Sequence, residues 1–416
     1  MWTRIAAIVL IFVCTSVAWF VLGSTIFLRS ESFDSSLRNR VVSLWGAPQE
    51  QLPPSAGWEE THYEQVAEKR EGEPAVRTVR TVEKKVWCPL KLESSKVNVG
   101  LHVDYRQKGL LWYSTYRVVF GGTYAFRNPS DVARQVTFTL PLPAKQATYD
   151  DLMFSVDGKQ LPVRNDEQGA HVAATVNAHE AAVLEVGYRS QGLEGWRYKF
   201  GEDVSQVRDF ELWVNTDFSG FDFPENTLSP SEKSRTSQGW QLVWNYKNLV
   251  SGYNIGIEMP KKLQPGPLAG RISYFAPVSL LFFFFVMFML TTIRGMDLHP
   301  MNYFFLACAF FAFHLLMAYL VDHVSIHTAF VICSAVSIFL LVSYLRLVAG
   351  MRFAAVEAGL AQLIYLVLFS YAFFFEGFTG LAITIGAMVT LFVAMQMTGR
   401  IRWSEKFAAA RAAARR

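Results

Sequence analysis

Six runs of apolar residues, almost free of charge and each close to the length of a bilayer crossing, restrict this chain to a membrane protein before any other feature is read. A helix rises ~1.5 Å per residue, so spanning a hydrocarbon layer of ~30 Å takes roughly 20 residues. The first run extends from about Ile5 to Leu28, and the others cover about 272–293, 302–321, 328–348, 354–375 and 379–399. The breaks between the last five are short and carry turn or charge signals: Arg294-Gly295-Met296-Asp297, Asp322-His323, Gly350-Met351-Arg352 and Glu376-Gly377. Short breaks predict antiparallel neighbours. Charge is concentrated elsewhere, since residues 29–271 hold 29 of the 39 Lys and Arg and 30 of the 35 Asp and Glu. The expected fold is therefore a membrane α-helical bundle plus a large external all-β, sandwich-like domain. Its parts are an N-terminal anchor (1–28), the β-rich domain (29–271), a five-helix bundle (272–399) and a basic tail (400–416).

Lys and Arg resist translocation, so their placement in short loops sets orientation. Arg4, Arg294, Arg346, Arg352, Arg400, Arg402, Lys406, Arg411, Arg415 and Arg416 all fall on one side if the N-terminus is inside, and the opposite short loops carry only Asp322 and Glu376. The expectation is a multi-pass protein of a bacterial inner membrane with both termini cytoplasmic and the large domain periplasmic. A cleaved signal peptide fits the first run less well, because the run is long and no small-x-small site follows it cleanly.

Residues 29–271 alternate in period two, as in Thr115–Phe120, Gln135–Leu140, Ala182–Val186 and Phe210–Val214. Asp157-Gly158 predicts a type I′ hairpin turn, while Asn128-Pro129, Asn165-Asp166 and Phe223-Pro224 mark loops. Two packed antiparallel sheets are expected, after an amphipathic or extended segment from Arg29 to Trp58. Gly121-Gly122 reads as a bulge. Trp112, Trp196, Trp213 and Trp244 suit a core, with a sugar-binding platform as the alternative. Cys88, the lone cysteine outside the spans, reads as a small buried hydrophobe. The mixed-sign stretch Glu59–Glu73 reads as a solvated face or flexible link.

Nothing in the sequence points to a cofactor. His62, His102, His171 and His179 lack metal-ligand spacing, and no Gly-x-Ser-x-Gly string or His-Glu-x-x-His helix is present. The near-neutral balance of the external domain gives no argument for nucleic acid.

Polar groups at membrane depth are costly and face a partner or water. His314 lies mid-span, eleven residues or about three turns after Tyr303, on a face shared with Ala307 and Ala318. It is expected to point into the bundle and bond a hydroxyl, amide or carbonyl of another span, with proton transfer or ligand contact as the alternative. Asp322, His323 and His327 could supply metal ligands, but an interfacial polar cluster is the simpler reading. Glu357 reads as an ion-pair partner of Arg346 or Arg352. His299 and Pro300 suit a helix start, where the missing proline N–H costs nothing, and Tyr303 suits the headgroup zone.

Leu298-His299-Pro300-Met301-Asn302-Tyr303, the Asp322-His323 pair at the far end of the same helix, and Trp45-Gly46-x-x-Gln49 together resemble the CreD family of inner-membrane proteins. Leu52-Pro53-Pro54 stands where a Gly-Pro pair is expected. The resemblance implies six spans with one long external insertion and an association with the Cre two-component regulon and envelope integrity, without a defined reaction. The favoured function is a non-enzymatic envelope-integrity protein that contacts a periplasmic or membrane protein partner and membrane lipids. A transporter or lipid-handling protein is the alternative, and an intramembrane hydrolase is the weakest fit.

Overall fold

The structure is a computed structural model, and it describes residues 2–68, 78–108, 111–201, 204–375 and 377–399. It divides into two compact units, one of residues 1–37, 108–111 and 263–416, the other of 38–107 and 112–262.

The first unit is helical. Its elements are α1 (Trp2–Trp45), whose residues 38–45 fall in the second unit, α2 (Pro265–Arg294), α3 (Pro300–Leu320), α4 (Ile326–Ala349), α5 (Phe353–Phe374) and α6 (Thr379–Thr398). All six are long and apolar enough to cross a membrane. The boundaries follow local chemistry. Pro265 occupies the first turn of α2 and Pro300 that of α3, where an N–H has no intrahelical acceptor in any case. Gly295 closes α2 in the left-handed region, φ 67°. Ser325 caps α4 by accepting from the Thr328 amide at 3.2 Å. The apolar windows of α2 to α5 are 39–50% buried, against 11% for α1 and 6% for α6. Hence α2–α5 form the centre, and α1 and α6 lie at its periphery. Helix α1 does not stop at Leu28; it runs on through the expected juxtamembrane segment to Trp45. Glu376 and the basic tail 400–416 lie outside the described residues, as do 69–73 of the mixed-sign stretch.

The second unit is all β. Its first strands are β1 (Gln49–Gln51), β2 (Ser55–Glu68), β3 (Thr78–Pro89), β4 (Lys91–Lys108), β5 (Leu111–Arg127), β6 (Arg134–Leu140), β7 (Tyr149–Val156) and β8 (Lys159–Gln160). There follow β9 (Arg164–Asp166), β10 (Gly169–Val176), β11 (Ala181–Leu193), β12 (Gly195–Tyr198), β13 (Ser205–Thr216), β14 (Glu232–Arg235), β15 (Trp240–Ser251) and β16 (Ile255–Glu258). Three sheets result, ordered β1-β12-β16, β3-β2-β6-β10-β9 and β14-β15-β13-β4-β5-β11-β7-β8. Pairing is mainly antiparallel, but β1 runs parallel to β12 and β4 parallel to β13, which period-two patterning cannot foretell. All three sheets contribute to one core; Phe126 of β5 meets Phe138 of β6 edge-on across the sandwich, centroids 5.8 Å apart.

Several local readings change. Gly121 and Gly122 sit in unbroken register opposite Gly187 and Val186, so they form no bulge against β11; a register shift lies in the β11–β7 ladder between Gly187 and Arg189. Gly122 is glycine because a Cβ there would stand 2.5 Å from the Tyr124 ring. Asn165-Asp166 belongs to β9 rather than a loop. Asp157 and Gly158 do carry the positive φ values of the expected hairpin, 51° and 76°. Cys88 is half-buried, its sulfur 3.8 Å from a Glu60 carboxylate oxygen. Trp196 and Trp244 are buried in the core, whereas Trp213 is 42% exposed.

Candidate functional site

The Trp45-Gly46-x-x-Gln49 string forms the entrance to the β unit. Gly46 adopts φ 101°, and a Cβ there would lie 2.5 Å from the Gln191 carbonyl oxygen. Buried Gln49 donates to the Ser190 hydroxyl at 2.8 Å and to the Gln191 carbonyl at 2.9 Å. Arg106 lies over the Trp45 ring, 3.9 Å from its centroid.

In the bundle, α1 and α3 run side by side. Arg4 donates to Asp297 at 2.7 Å just before α3, and Arg29 pairs with Asp322 at 3.3 Å just after it. Each pair is separated by 293 positions, so the helices are parallel and in matched register over 25 residues. At ~1.5 Å per residue that is about 37 Å, enough to put both ion pairs outside a ~30 Å hydrocarbon core. Between them Trp19 packs against Phe310, Phe311 and His314 of α3. His314 is buried as expected, but its partner is not on another span: Nδ1–H donates to the Phe310 carbonyl of its own helix at 3.1 Å. A carbonyl one turn back lies within reach of any helical side chain of this length, whereas the neighbouring helices offer His314 aromatic rings. Nε2 has no hydrogen-bond partner among the described residues.

The other motif residues separate from His314. Nδ1 of His299 accepts from the Met301 amide at 3.2 Å, capping α3 beside Pro300. Tyr303, in the first turn of α3, is fully buried, 3.4 Å from the Thr291 hydroxyl and edge-on to Phe284 of α2. Asp322 is taken by Arg29, His323 is exposed, and His327 lies against the Phe374 ring at 5.2 Å. No set of three His, Cys, Asp or Glu side chains among the described residues is arranged to hold a metal. Glu357 pairs with Arg294 of α2, not with Arg346 or Arg352. A buried chain from α5 to α3 was missed in the sequence: Gln362 donates to the Ser337 hydroxyl at 2.6 Å, which donates to the Ala309 carbonyl at 2.6 Å. Gln362 is the one amide within α5, and that rarity was the available signal.

The open face of the eight-stranded sheet carries a second group of residues. Register places Trp213 beside Asn98 and Val243, and Gly121 beside Gly187, which in turn faces Met153. Gln241 donates to Asn215 and Asn215 to Asn98, each at 3.2 Å. A Cβ at Gly121 or Gly187 would meet nothing closer than 3.6 Å, so the floor between Trp213 and Met153 is low. Those two side chains, four strands apart, bracket a trough about 19 Å wide at ~4.8 Å per strand. An indole wall, an amide ladder and a flat floor can hold a partner by stacking and hydrogen bonding.

Residues 233–404 match the family model for the inner membrane protein CreD, which bears out the resemblance carried by the α3 motif. The match begins in β14 and takes in the five C-terminal helices. No curated protein matches the chain in sequence. Among solved structures, a Legionella pneumophila protein described as nutrient binding aligns at 12% identity and a TM-score of 0.34, covering 57% of this chain and 76% of its own. An M1 zinc metallopeptidase from Deinococcus radiodurans aligns at 8% identity and a TM-score of 0.27, covering 41% of this chain and 42% of its own. Neither likeness is close enough to carry a functional argument.

Proposed function

We propose, from a membrane domain of the CreD family, that this chain is a non-enzymatic inner-membrane component of cell-envelope integrity. In this reading its periplasmic β domain holds an envelope partner on the open face of the eight-stranded sheet, and the helical unit anchors that contact. The supporting observation is Trp213, 42% exposed on β13 between the buried Leu212 and Val214 and paired in register with Asn98 of the amide ladder; the similarly exposed Trp87 lies on β3 of another sheet. A large aromatic ring left in water beside an ordered amide ladder is what a recognition surface requires. The helical unit suits an anchor, because its polar side chains bond mainly to one another or to helix carbonyls.

The reading is tested in a deletion strain under envelope stress. Trp213→Ala and Asn98→Ala should each leave the protein abundant and inserted yet lower protection, while Val243→Ala beside them should have a smaller effect. Full protection by both variants would remove the trough from the account. A lipid-handling role rests on a different feature, an apolar groove along α6.

A further inference from the structure

That groove runs between α2, α5 and α6 and encloses about 440 Å³. Its walls are apolar, formed by Phe285 and Leu290 of α2, Leu360 and Ile364 of α5, and Val389 and Val393 of α6. The hydroxyls along it are satisfied internally: Tyr365 donates to Thr390 at 2.9 Å, and Thr390 to the Gly386 carbonyl at 2.7 Å. From Gly386 to Met397 the α6 side covers 12 residues, or 11 helical rises. That is about 16 Å, or one half of a ~30 Å hydrocarbon core.

One charged side chain lines the groove, Glu357. It sits in a π-helical turn, Phe353–Ala358, and a second such turn, Leu363–Leu368, carries Tyr365. Such turns displace side chains from the ordinary helical stripe and are frequent at functional sites. One Glu357 oxygen pairs with Arg294, at the end of α2. The other is buried and has no hydrogen-bond partner among the described residues. A carboxylate oxygen at membrane depth without a donor is costly, and the Glu357 side chain, 17% exposed, lines the groove. Arg294 remains half exposed beside it.

We propose that the groove holds one acyl chain of an ethanolamine phospholipid in the leaflet on the Arg294 side, with its ammonium on Glu357 and its phosphate on Arg294. An anionic glycerol headgroup would satisfy Arg294 but repel Glu357. A choline headgroup has no N–H to give. Only a zwitterion with a donor on its cation meets both charges. This site is independent of the partner-binding face of the β domain.

The test is native mass spectrometry of the full-length protein from mild detergent, supplied in turn with phosphatidylethanolamine, phosphatidylglycerol and phosphatidylcholine. The wild type should carry one phosphatidylethanolamine, favoured over the other two by about tenfold, the worth of a charge-assisted hydrogen bond. Glu357→Gln should still carry a lipid but lose most of that preference. Gly386→Phe should lose the lipid at unchanged melting temperature, since a Cβ at Gly386 has nothing within 4 Å and removing a helical glycine does not weaken α6. Equal retention of the three lipids by the wild type, or an undiminished adduct in Gly386→Phe, would overturn the proposal. So would a lipid-free dimer that Gly386→Phe dissociates, which would make a second copy the occupant.

Discussion

Trp19 of α1 stands edge-on to His314 of α3, with ring centroids 5.9 Å apart and planes at 87°. The imidazole is enclosed by this indole and by Phe310 and Phe313. Its one hydrogen bond goes to a carbonyl that the helix ladder already reaches. A proton relay needs a hydrogen-bonded group beyond Nε2, and Nε2 has no such partner among the described residues. We therefore propose that His314 serves packing between two parallel helices.

The ion pairs that clamp those helices should be separable from the packing. Arg29 and Asp322 side chains are each about 30% exposed. Arg29→Asp and Asp322→Arg should each lower the melting temperature of the detergent-purified protein, and the double swap should recover part of the loss, a coupling of about 0.5–2 kcal/mol. Strict additivity of the two effects would mean the pair contributes nothing.

A fragment of about residues 29–270 should fold without lipid, because the β unit has its own core. Circular dichroism should show a strand-dominated spectrum and a cooperative melt. In that fragment Gly46→Ala should cost about 2 kcal/mol or more, given the left-handed backbone and the carbonyl 2.5 Å from the new Cβ. Gln49→Leu should cost about 1–3 kcal/mol by leaving the Ser190 hydroxyl and Gln191 carbonyl short of a donor. A helix-dominated spectrum would contradict the strand assignment.

Alkaline pH should unfold the β domain. Burial pushes the Tyr149 hydroxyl up to about 12 and raises Tyr116, Tyr188 and Tyr198 as well. Unfolded tyrosine ionises near pH ~10, so above that pH the unfolded chain releases protons that the folded one retains. The stabilisation is complete below about pH 10 and declines as pH rises toward 12. Phenolate absorbance should rise together with loss of the strand signal; early ionisation of all tyrosines in a folded domain would contradict this burial.

Topology follows from the ten basic residues flanking the spans. A reporter fused after Arg416 should be cytoplasmic, and one inserted near Gln168 should be periplasmic. An external C-terminus would reverse the account.

The six spans and the strand cores were legible because each rests on a periodicity that burial enforces along one element. The partners of polar groups were not, since they depend on which helices lie side by side. Arg29 was counted with the external domain, and only the parallel packing of α1 on α3 gives it to Asp322. Glu357 went to Arg294 for the same reason. Trp213 could have been placed correctly: Phe210, Leu212 and Val214 point inward, and strict alternation sends the residue between Leu212 and Val214 outward. Composition, which favours a buried indole, outweighed parity there.

The most direct measurement sets two variants side by side in the deletion strain under envelope stress, with membrane abundance of each verified. His314→Leu removes an imidazole whose Nε2 is unbonded and keeps an apolar filling, so it should complement fully. Trp213→Ala removes the wall of the trough and should fail at equal abundance. The reverse pattern, failure of His314→Leu with full complementation by Trp213→Ala, would place the activity in the membrane and contradict the proposed function.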